Sequence, residues 1–528
     1  MYETWWTDMS TPSKRGVVGL PENATRSTIR PSLEDDIKHK VFLVDFKPFV
    51  QYVWGVDDAT VDLICEQATW AIDPDALRRY NEKTNNETEL YPIFTEIAED
   101  LIPKVRALVN RNGKTPSRSS VVFWNKGGTC KIKSRFTRLQ PDMLTLAEMV
   151  DRPVWLMPWQ VFEFKKKRRL DGERKRRAFA SSTSSALPSV PESGLASSGQ
   201  SSGRLRKQVP SINRNPSTEP VRRSARIAAG SVCSNGTRRS DNISLPPSQT
   251  TSQKRKNTDE TTNNRPTKRR TIEYTQDELQ LATYALECMT SSTRLYTAGI
   301  FIDRTFLSLW YYDSACVIRT KPFNFAEYPA ALALVVYALS ACDHQHAGFD
   351  PHMEIRHNDA PEADASSKSK EKAASVPCVV GSRIAFPPGG SVSASWAIQR
   401  ILFEYHGLIE RATKVFEALR EGGTEPEALK ISWPLMSRQK EAAIIKKVVD
   451  ALPGWRDHLP EVSFSATYGA EQLALPRVEL LKSISAAEFE DRELHAIAMK
   501  LYRKLWELDT VEEFKRVFVD CVECGSHL

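Results

Sequence analysis

A lysine and a glutamate in the last quarter of the chain have the residue types, order and spacing to hold the phosphates of a nucleotide. Lys430 lies in a strand predicted at 427–433, and Glu441 lies in the first turns of a helix predicted to begin at Ser437. A lysine that a helix carboxylate holds in place presents a fixed positive charge to a triphosphate, as in the ATP-binding lobe of a kinase. The alternative interpretation of the pattern is an edge strand with a solvated lysine, followed by an ordinary helix.

Two further strands, predicted at 402–409 and 414–419, precede this pair and are joined by a tight turn. If Val415 is the valine of the pattern G-x-G-x-x-G-x-V, the three glycine positions hold Leu408, Glu410 and Thr413. Glycines let the backbone approach phosphate groups closely, whereas a carboxylate at the same place repels them. The loop therefore departs from the usual pattern.

A second group of residues suggests a different chemistry. Pro141-Asp142 begins a strand-like run, and Glu163 and Lys165 end the next strand, about twenty residues later. This is the arrangement of PD-(D/E)xK nucleases, in which two carboxylates hold Mg²⁺ and a lysine orients the attacking water. Glu89 or Glu96 on the preceding predicted helix, 87–109, is a candidate for a further carboxylate. The alternative is an edge strand on which Glu163 and Lys165 face solvent.

The charge of the chain is concentrated in one segment. The chain has 528 residues and a formal net charge of +7, yet residues 166–275 alone contain 24 Lys and Arg against 8 Asp and Glu. Ser, Pro, Arg, Asn and Gly dominate this segment, which has few bulky apolar residues, so we predict that it is a disordered basic linker. Weak, nonspecific binding of nucleic acid by this linker is a further expectation.

The composition shifts predict an α+β protein with several units. The predicted order is a flexible N-terminus (1–29), an N-terminal α/β unit with a possibly nuclease-like fold (30–165), the disordered basic linker (166–275), a helix and β-meander unit (276–358), a polar linker (359–379) and an incomplete protein-kinase-like domain (380–528).

The basic linker also contains two basic clusters whose spacing suits a bipartite nuclear-import signal. They comprise Lys254, Arg255, Lys256, Lys268, Arg269 and Arg270. A nuclear import receptor is therefore a predicted partner, with a solvated polybasic linker as the alternative. The chain has no apolar run of about 18 residues and begins without a secretory pattern, so we expect a nuclear or cytoplasmic protein that does not associate with membranes.

Several short stretches together resemble the fungal-type protein kinase family of mushroom-forming fungi. The resemblance covers roughly 30–165 and 275–528. The stretches are 284–299, 309–313 (LWYYD), 323–325 (FNF), 348–351 (GFDP), 406–409 (HGLI), 411–415 (RATKV), 429–434 (LKISWP) with Arg438 and Glu441, 458–460 (HLP), 491–494 (DREL) and 514–524.

The resemblance implies a two-lobed kinase-like fold with ATP and Mg²⁺ as ligands. We assign nucleotide binding to Lys430, Glu441, Gly407, Thr413 and Val415. Members of the family usually have a glycine near position 410, where this chain has Glu410, and they continue into a catalytic loop and a metal-binding Asp that cannot be assigned before Leu528. We therefore expect a truncated chain without phosphotransferase activity. The alternatives are a nuclear pseudokinase-like scaffold and a metal-dependent nuclease centred on Asp142, Glu163 and Lys165.

Overall fold

The computed structural model describes residues 26–165 and 274–527 with short gaps. The gaps are 67–68, 83–85, 114–120, 126–131, 134–137, 151–152, 359–375, 388–392, 485–488 and 505–506. Most of the predicted linker and all six residues of the predicted import signal lie outside the described residues.

Helices and strands are both abundant in the described part of the chain, and the predicted α+β class is confirmed. The helices are α1 (Arg26–Ile37), α2 (Phe46–Trp54), α3 (Asp58–Glu66), α4 (Pro74–Glu82), α5 (Leu90–Arg111), α6 (Gln276–Ser291), α7 (Pro329–Ala341), α8 (Glu441–Ala451), α9 (Arg477–Leu480) and α10 (Val511–His527), with 3₁₀ turns at Glu87–Glu89 and Pro453–His458.

The described ranges contain seventeen strands. They are β1 (Val41–Val44), β2 (Val122–Trp124), β3 (Ile132–Lys133), β4 (Arg138–Leu139), β5 (Met143–Leu146), β6 (Gln160–Lys165), β7 (Tyr296–Asp303), β8 (Phe306–Asp313), β9 (Val317–Thr320), β10 (Phe323–Asn324), β11 (Met353–Asn358), β12 (Val376–Phe386), β13 (Ala394–Glu404), β14 (Lys414–Arg420), β15 (Pro426–Ser432), β16 (Val462–Tyr468) and β17 (Leu494–Lys500).

The first sheet has eight strands in the order β1-β9-β8-β7-β6-β5-β2, with β10 paired to β8. Strands from the predicted 30–165 and 276–358 units therefore lie in one sheet. β6 and β7 are parallel, and α6 lies between them in the chain and packs on both. Parallel neighbours need such a crossover connection, and here it also includes the residues that the structure does not describe.

Helices cover both faces of this sheet because its central strands are apolar on both sides. On one face α5 buries a stripe at helical spacing, and its Phe94 makes edge-to-face contacts with Phe162 and Phe164 of β6. On the other face lies α6. Its N-terminus begins with a capping box, in which Thr275 and Glu278 each bond the other's backbone N–H.

The second sheet has seven strands in the order β11-β12-β13-β14-β15-β17-β16, all antiparallel. Helix α8 follows β15 and precedes β16 in the chain. The strand predicted at 402–409 is wrong in position, because β13 ends at Glu404 and residues 405–413 form a loop. The helix predicted from Ser437 begins at Glu441.

A buried arginine ties the two sheets together. The side chain of Arg477 in α9 is 1% exposed, and its Nη1 lies 2.6 Å from Oδ2 of Asp313, which ends β8 and is fully buried. Its Nε donates to Oδ1 of Asp491 at 2.9 Å, and its Nη2 donates to the backbone carbonyl of Arg492 at 2.7 Å. Such a charge is tolerated inside a protein only when its donors are paired, as they are here.

No helix in the described ranges combines the length and the apolar character needed to cross a membrane.

Candidate functional site

Strand β15 and helix α8 bring Lys430 and Glu441 together. Nζ of Lys430 lies 2.7 Å from Oε2 and 2.9 Å from Oε1 of Glu441. The lysine side chain is 10% exposed and the glutamate side chain 26% exposed. Lys430 is flanked in the sheet by Val415 of β14 and Ile497 of β17, which confine its side chain. The pair is therefore held on the side of the lysine and open on the side of the glutamate.

The order of the surrounding elements is that of a kinase nucleotide-binding lobe. Lys430 lies on the third of the consecutive antiparallel strands β13, β14 and β15, and Glu441 is the first residue of the helix that follows. In protein kinases the phosphate-binding lysine occupies the third strand and pairs with a glutamate of the next helix. Strands β11 and β12 extend this sheet beyond β13.

The loop 405–413 occupies the place of the phosphate-covering loop, but its apolar residues are buried. Leu408 is 1% exposed and Ile409 is fully buried, and both belong to the hydrophobic cluster that includes Ile29, Leu33 and Ile37 of α1. A covering loop normally owes its mobility and its close approach to phosphates to glycine. Here the segment is instead packed on a helix from the beginning of the described chain.

Polar contacts strengthen this attachment. Nζ of Lys40 donates to the backbone carbonyl of Ile409 at 3.3 Å. Lys414, at the start of β14, donates to the last carbonyls of α6, those of Thr290 at 2.9 Å and of Ser292. A cation is stabilised at the C-terminus of a helix, where carbonyl groups lack partners within the helix. The loop is therefore held by polar contacts at Ile409 and at Lys414 as well as by the apolar contacts of Leu408 and Ile409.

The other predicted nucleotide contacts take different positions around Lys430. Val415 lies directly opposite Lys430 on the neighbouring strand. The carbonyl of Thr413 accepts a bond from the backbone N–H of Tyr405 at 2.8 Å, which closes the base of the loop. Gly407 is buried, and a Cβ there would lie 2.6 Å from Cε1 of Tyr405, so the packing of this tyrosine favours glycine.

Three arginines lie near the pair, and the sequence analysis assigned them no role. Burial lowers the pKa of Arg411, the charge of Arg438 lowers it further, and Glu441 and Glu410 oppose the change. Burial, with Arg411 and Arg438, also lowers the pKa of Arg492 to about 10, against the opposing effect of Glu410. Mutual repulsion of cations favours a bound anion. The stretches RATKV and DREL contain two of these arginines, and their positive charge is the sequence feature that could have indicated an anion site.

The residues of the predicted nuclease pattern also lie together, at one end of the first sheet. Nζ of Lys165 lies 2.6 Å from Oε1 of Glu163, which is fully buried. Oδ2 of Asp142 accepts the backbone N–H of Phe164 at 2.6 Å, and its Oδ1 accepts the hydroxyl of Tyr91 at 2.6 Å. The alternative, in which Glu163 and Lys165 face solvent, is wrong, because Glu163 is fully buried and Lys165 is mostly buried.

Burial determines the electrostatics of this group. Burial raises the pKa of Glu163 well above its usual range, and the neighbouring charge of Asp142 raises it further against the effect of Lys165. Burial likewise raises the pKa of Asp142, whose bonds from Tyr91 and Phe164 oppose the change. Both shifts disfavour the ionised carboxylates in the absence of a further cation, because the two groups share a poorly solvated region.

Long-range partners of this group were missed by the sequence analysis. Oε2 of Glu87, in the 3₁₀ turn before α5, lies 3.3 Å from Nζ of Lys165. Nε2 of Gln280 in α6 donates to Oε2 of Glu163 at 3.1 Å. Of the two carboxylates named from sequence, Glu96 pairs instead with Arg79 at 2.6 Å on the surface. The additional carboxylate beside Lys165 is therefore Glu87.

Within the described ranges, no three His, Cys, Asp or Glu side chains are arranged as a ligand set for a metal ion.

Comparison with known proteins agrees with the geometry around Lys430. The family model described as "Fungal protein kinase" matches residues 247–455, a stretch that includes β13, β14, β15 and α8 with Lys430 and Glu441. No curated protein and no solved structure matches the chain. The match supports a kinase-like function for this part of the chain, and it confirms that the chain resembles the fungal protein kinase family.

Proposed function

We propose that the second sheet and α8 bind ATP, with Lys430 contacting the phosphates and Glu441 holding the lysine in place. The observation that supports the proposal is the double contact of Lys430 Nζ with both carboxylate oxygens of Glu441, at 2.7 and 2.9 Å. A protein kinase needs this ion pair before phosphoryl transfer can occur.

The residues near the pair suit a triphosphate in charge. Arg411, Arg438 and Arg492 add positive charge to that of Lys430, and the carboxylates that oppose them are Glu441, Glu410 and Glu490. Val415 provides an apolar neighbour beside Lys430, where a nucleotide base or sugar can pack. Mg²⁺, when bound, bridges phosphate oxygens. We assign no protein ligand for it here.

The buried loop 405–413 defines how this binding differs from that of a kinase with a glycine-rich loop. Because Leu408 and Ile409 are buried against α1, their backbone does not fold over the phosphates. Nucleotide affinity then depends on side chains, above all on Lys430. We expect loss of this lysine to abolish binding.

Nucleotide binding is tested by calorimetry and thermal unfolding of the full chain with Mg·ATP. A ligand at one hundred times its Kd stabilises the folded state by about 2.7 kcal/mol, which is a measurable rise in Tm. Lys430→Met should remove the heat and the shift. The matched control is Lys446→Met, since Lys446 lies on α8 in an exposed pair with Asp450 and should leave both unchanged.

Two outcomes contradict the proposal. One is a wild-type chain that shows neither heat nor a Tm shift at millimolar Mg·ATP. The other is a Lys430→Met variant that binds as tightly as the wild type, because binding would then occur elsewhere.

Nuclear import by the clusters at 254–256 and 268–270 stays a prediction, since these residues lie outside the described part of the chain.

A further inference from the structure

Asp142, Glu163 and Lys165 meet where the parallel strands β6 and β7 end. Lys165 is the last residue of β6 and pairs in register with Asp303, the last residue of β7. Met143 pairs with Phe162 in the antiparallel β5–β6 ladder, which places Asp142 opposite Glu163. In open α/β sheets, ligands bind outside the carboxyl ends of the parallel strands. The three side chains therefore lie where such a fold places its chemistry.

When its carboxylates are ionised, this group carries three negative charges and one positive charge. Asp142, Glu163 and Glu87 lie around Lys165, and Lys165 is the one cationic side chain of the described residues that pairs with any of them. Buried carboxylates normally have a matching cation or bind a metal. Glu163 is fully buried, so its negative charge cannot be compensated by water. A small bound cation would supply the positive charge that these carboxylates need in order to be ionised.

The ligands present select the kind of cation. Every donor is an oxygen, which suits a hard divalent ion. Mg²⁺ typically uses one or two carboxylates and completes its octahedron with waters and substrate phosphates. Two carboxylates, Asp142 and Glu163, are enough for that mode, although the described residues include no group of three metal ligands.

We propose that Asp142, Glu163 and Lys165 form a magnesium-dependent centre that hydrolyses the phosphodiester bonds of nucleic acids. Asp142 and Glu163 hold the cation, and the ammonium group of Lys165 orients the attacking water. Glu87 keeps Lys165 in place when Glu163 turns to the cation. Tyr91 and Gln280 position the two carboxylates through their hydrogen bonds.

The reaction balances without any oxidant or reductant. The water oxygen forms one new bond to phosphorus, and the bond from phosphorus to the sugar oxygen breaks. The products are a phosphomonoester and a free hydroxyl, and the proton released by the water reaches the leaving oxygen through solvent. Two carboxylates, a divalent cation and a lysine are sufficient for this step.

The sequence next to the site favours a polyanionic substrate over a small phosphate ester. Lys165 is followed directly by residues 166–177 (KKRRLDGERKRR), in which basic residues greatly outnumber acidic ones. Basic side chains attached next to the centre raise the local concentration of a phosphate polymer and make its binding sensitive to salt.

The proposal is tested by incubating the full chain with supercoiled plasmid, single-stranded DNA and RNA, in Mg²⁺ and in EDTA. We expect cleavage of at least one polymer in Mg²⁺ only, and the three substrates distinguish DNA from RNA as the source of the phosphodiester. Asp142→Asn, Glu163→Gln and Lys165→Met should each lower the rate by about a hundredfold or more. Glu96→Gln, the exposed glutamate that pairs with Arg79, is the matched control and should cleave at the wild-type rate.

A second readout does not depend on cleavage. Mg²⁺ should raise the Tm of the wild type and of Glu96→Gln but not that of Asp142→Asn or Glu163→Gln, and circular dichroism in EDTA shows whether each variant is folded. Absence of Mg²⁺-dependent cleavage by the wild type overturns the proposal. Cleavage that survives Asp142→Asn and Lys165→Met also overturns it, because it then arises elsewhere. Neither result bears on ATP binding, which is measured separately.

Discussion

Lys430 and Lys165 are both partly buried lysines beside glutamates, yet their surroundings have opposite charge. Lys430 pairs with Glu441, and arginines lie nearby. Lys165 is shared by Glu163 and Glu87, with Asp142 next to them. The first site has positive charge to offer a ligand and the second has negative charge. A lysine–glutamate pair by itself therefore does not indicate the ligand, and the charges around the pair decide between an anion and a cation.

The two lysines also differ in their position along a strand. Lys430 lies inside β15, with a strand on each side, so its backbone is fully paired in the sheet. Lys165 is the last residue of β6, where the chain leaves the sheet. The first position suits a fixed cation, whereas the second allows a large ligand to approach.

The largest effect is expected from Arg477, which is in neither site but ties the two sheets together. Arg477→Met leaves Asp313 buried without its cation, and we expect a loss of about 3–5 kcal/mol in the free energy of unfolding. Urea unfolding measures it. Because both sheets depend on Arg477, the whole folded part should unfold at a lower temperature with or without a ligand.

The control for this change is Arg400→Met, which removes an exposed pair with Glu417 and should cost no more than about 1 kcal/mol. If Arg477→Met cost as little as Arg400→Met, the buried ion pair with Asp313 would contribute little to holding the two sheets together.

Two matched substitutions test whether the surroundings of Lys430 and Lys165 differ in the sign of their charge. Glu441→Gln leaves Lys430 without its anion, and we expect a loss of about 1–3 kcal/mol of folding stability. Glu163→Gln, measured in EDTA, removes one carboxylate from a group with negative excess and leaves Glu87 to pair with Lys165. We expect it to be neutral or stabilising.

Urea unfolding of both variants at neutral pH shows whether each substitution lowers or raises the free energy of unfolding. Destabilisation of similar size in both would mean that the two lysine–glutamate pairs are electrostatically equivalent, and the comparison between the sites would fail.

The smallest effect is expected from Asp36 of α1, which faces the buried loop. Burial and the charge of Glu410 raise its pKa to about 7, against the charge of Lys40 and the backbone N–H of Leu408; Asp35 adds to the increase. A carboxyl whose pKa is raised on folding stabilises the folded state below its unfolded pKa, and this contribution is lost as pH rises towards 7. The effect is modest because Asp36 is partly exposed and solvent screens its interactions.

Asp36→Asn should therefore be more stable than the wild type at pH 8, and the difference should shrink as pH falls below 7. Urea unfolding of both proteins from pH 5 to 8 measures the difference. A difference that does not change with pH would show that Asp36 does not titrate against Glu410 in the folded protein.

Local patterns predicted the elements whose burial follows their own periodicity. The helix predicted at 87–109 is present as the turn Glu87–Glu89 and α5, and the strand predicted at 414–419 is β14. A lysine in a strand followed by a glutamate in the next helix also predicted that Lys430 and Glu441 would form a pair. Their role in nucleotide binding stays a prediction. These features depend on residues close together in the chain.

Features that depend on distant residues were not predictable in this way. Leu408 and Ile409 were predicted to lie in a strand, but they are buried by α1, more than 370 positions earlier in the chain. Gln280 bonds Glu163 across 117 positions, and Arg477 bonds Asp313 across 164. No local spacing encodes such contacts, because they arise only when complete elements pack together.

The crossover between β6 and β7 has a consequence for how this chain can change. β6 ends at Lys165 and α6 begins at Gln276, and both are fixed by the first sheet, so the residues between them join two stationary points. The entropy of closing such a connection grows only slowly, by about 0.6 kcal/mol for each doubling of its length. Insertions, deletions or a single peptide-bond cut within 166–273 should leave the sheet assembled, with the two fragments associated through the β6–β7 ladder. The folded sheet thus places little constraint on the length of this connection.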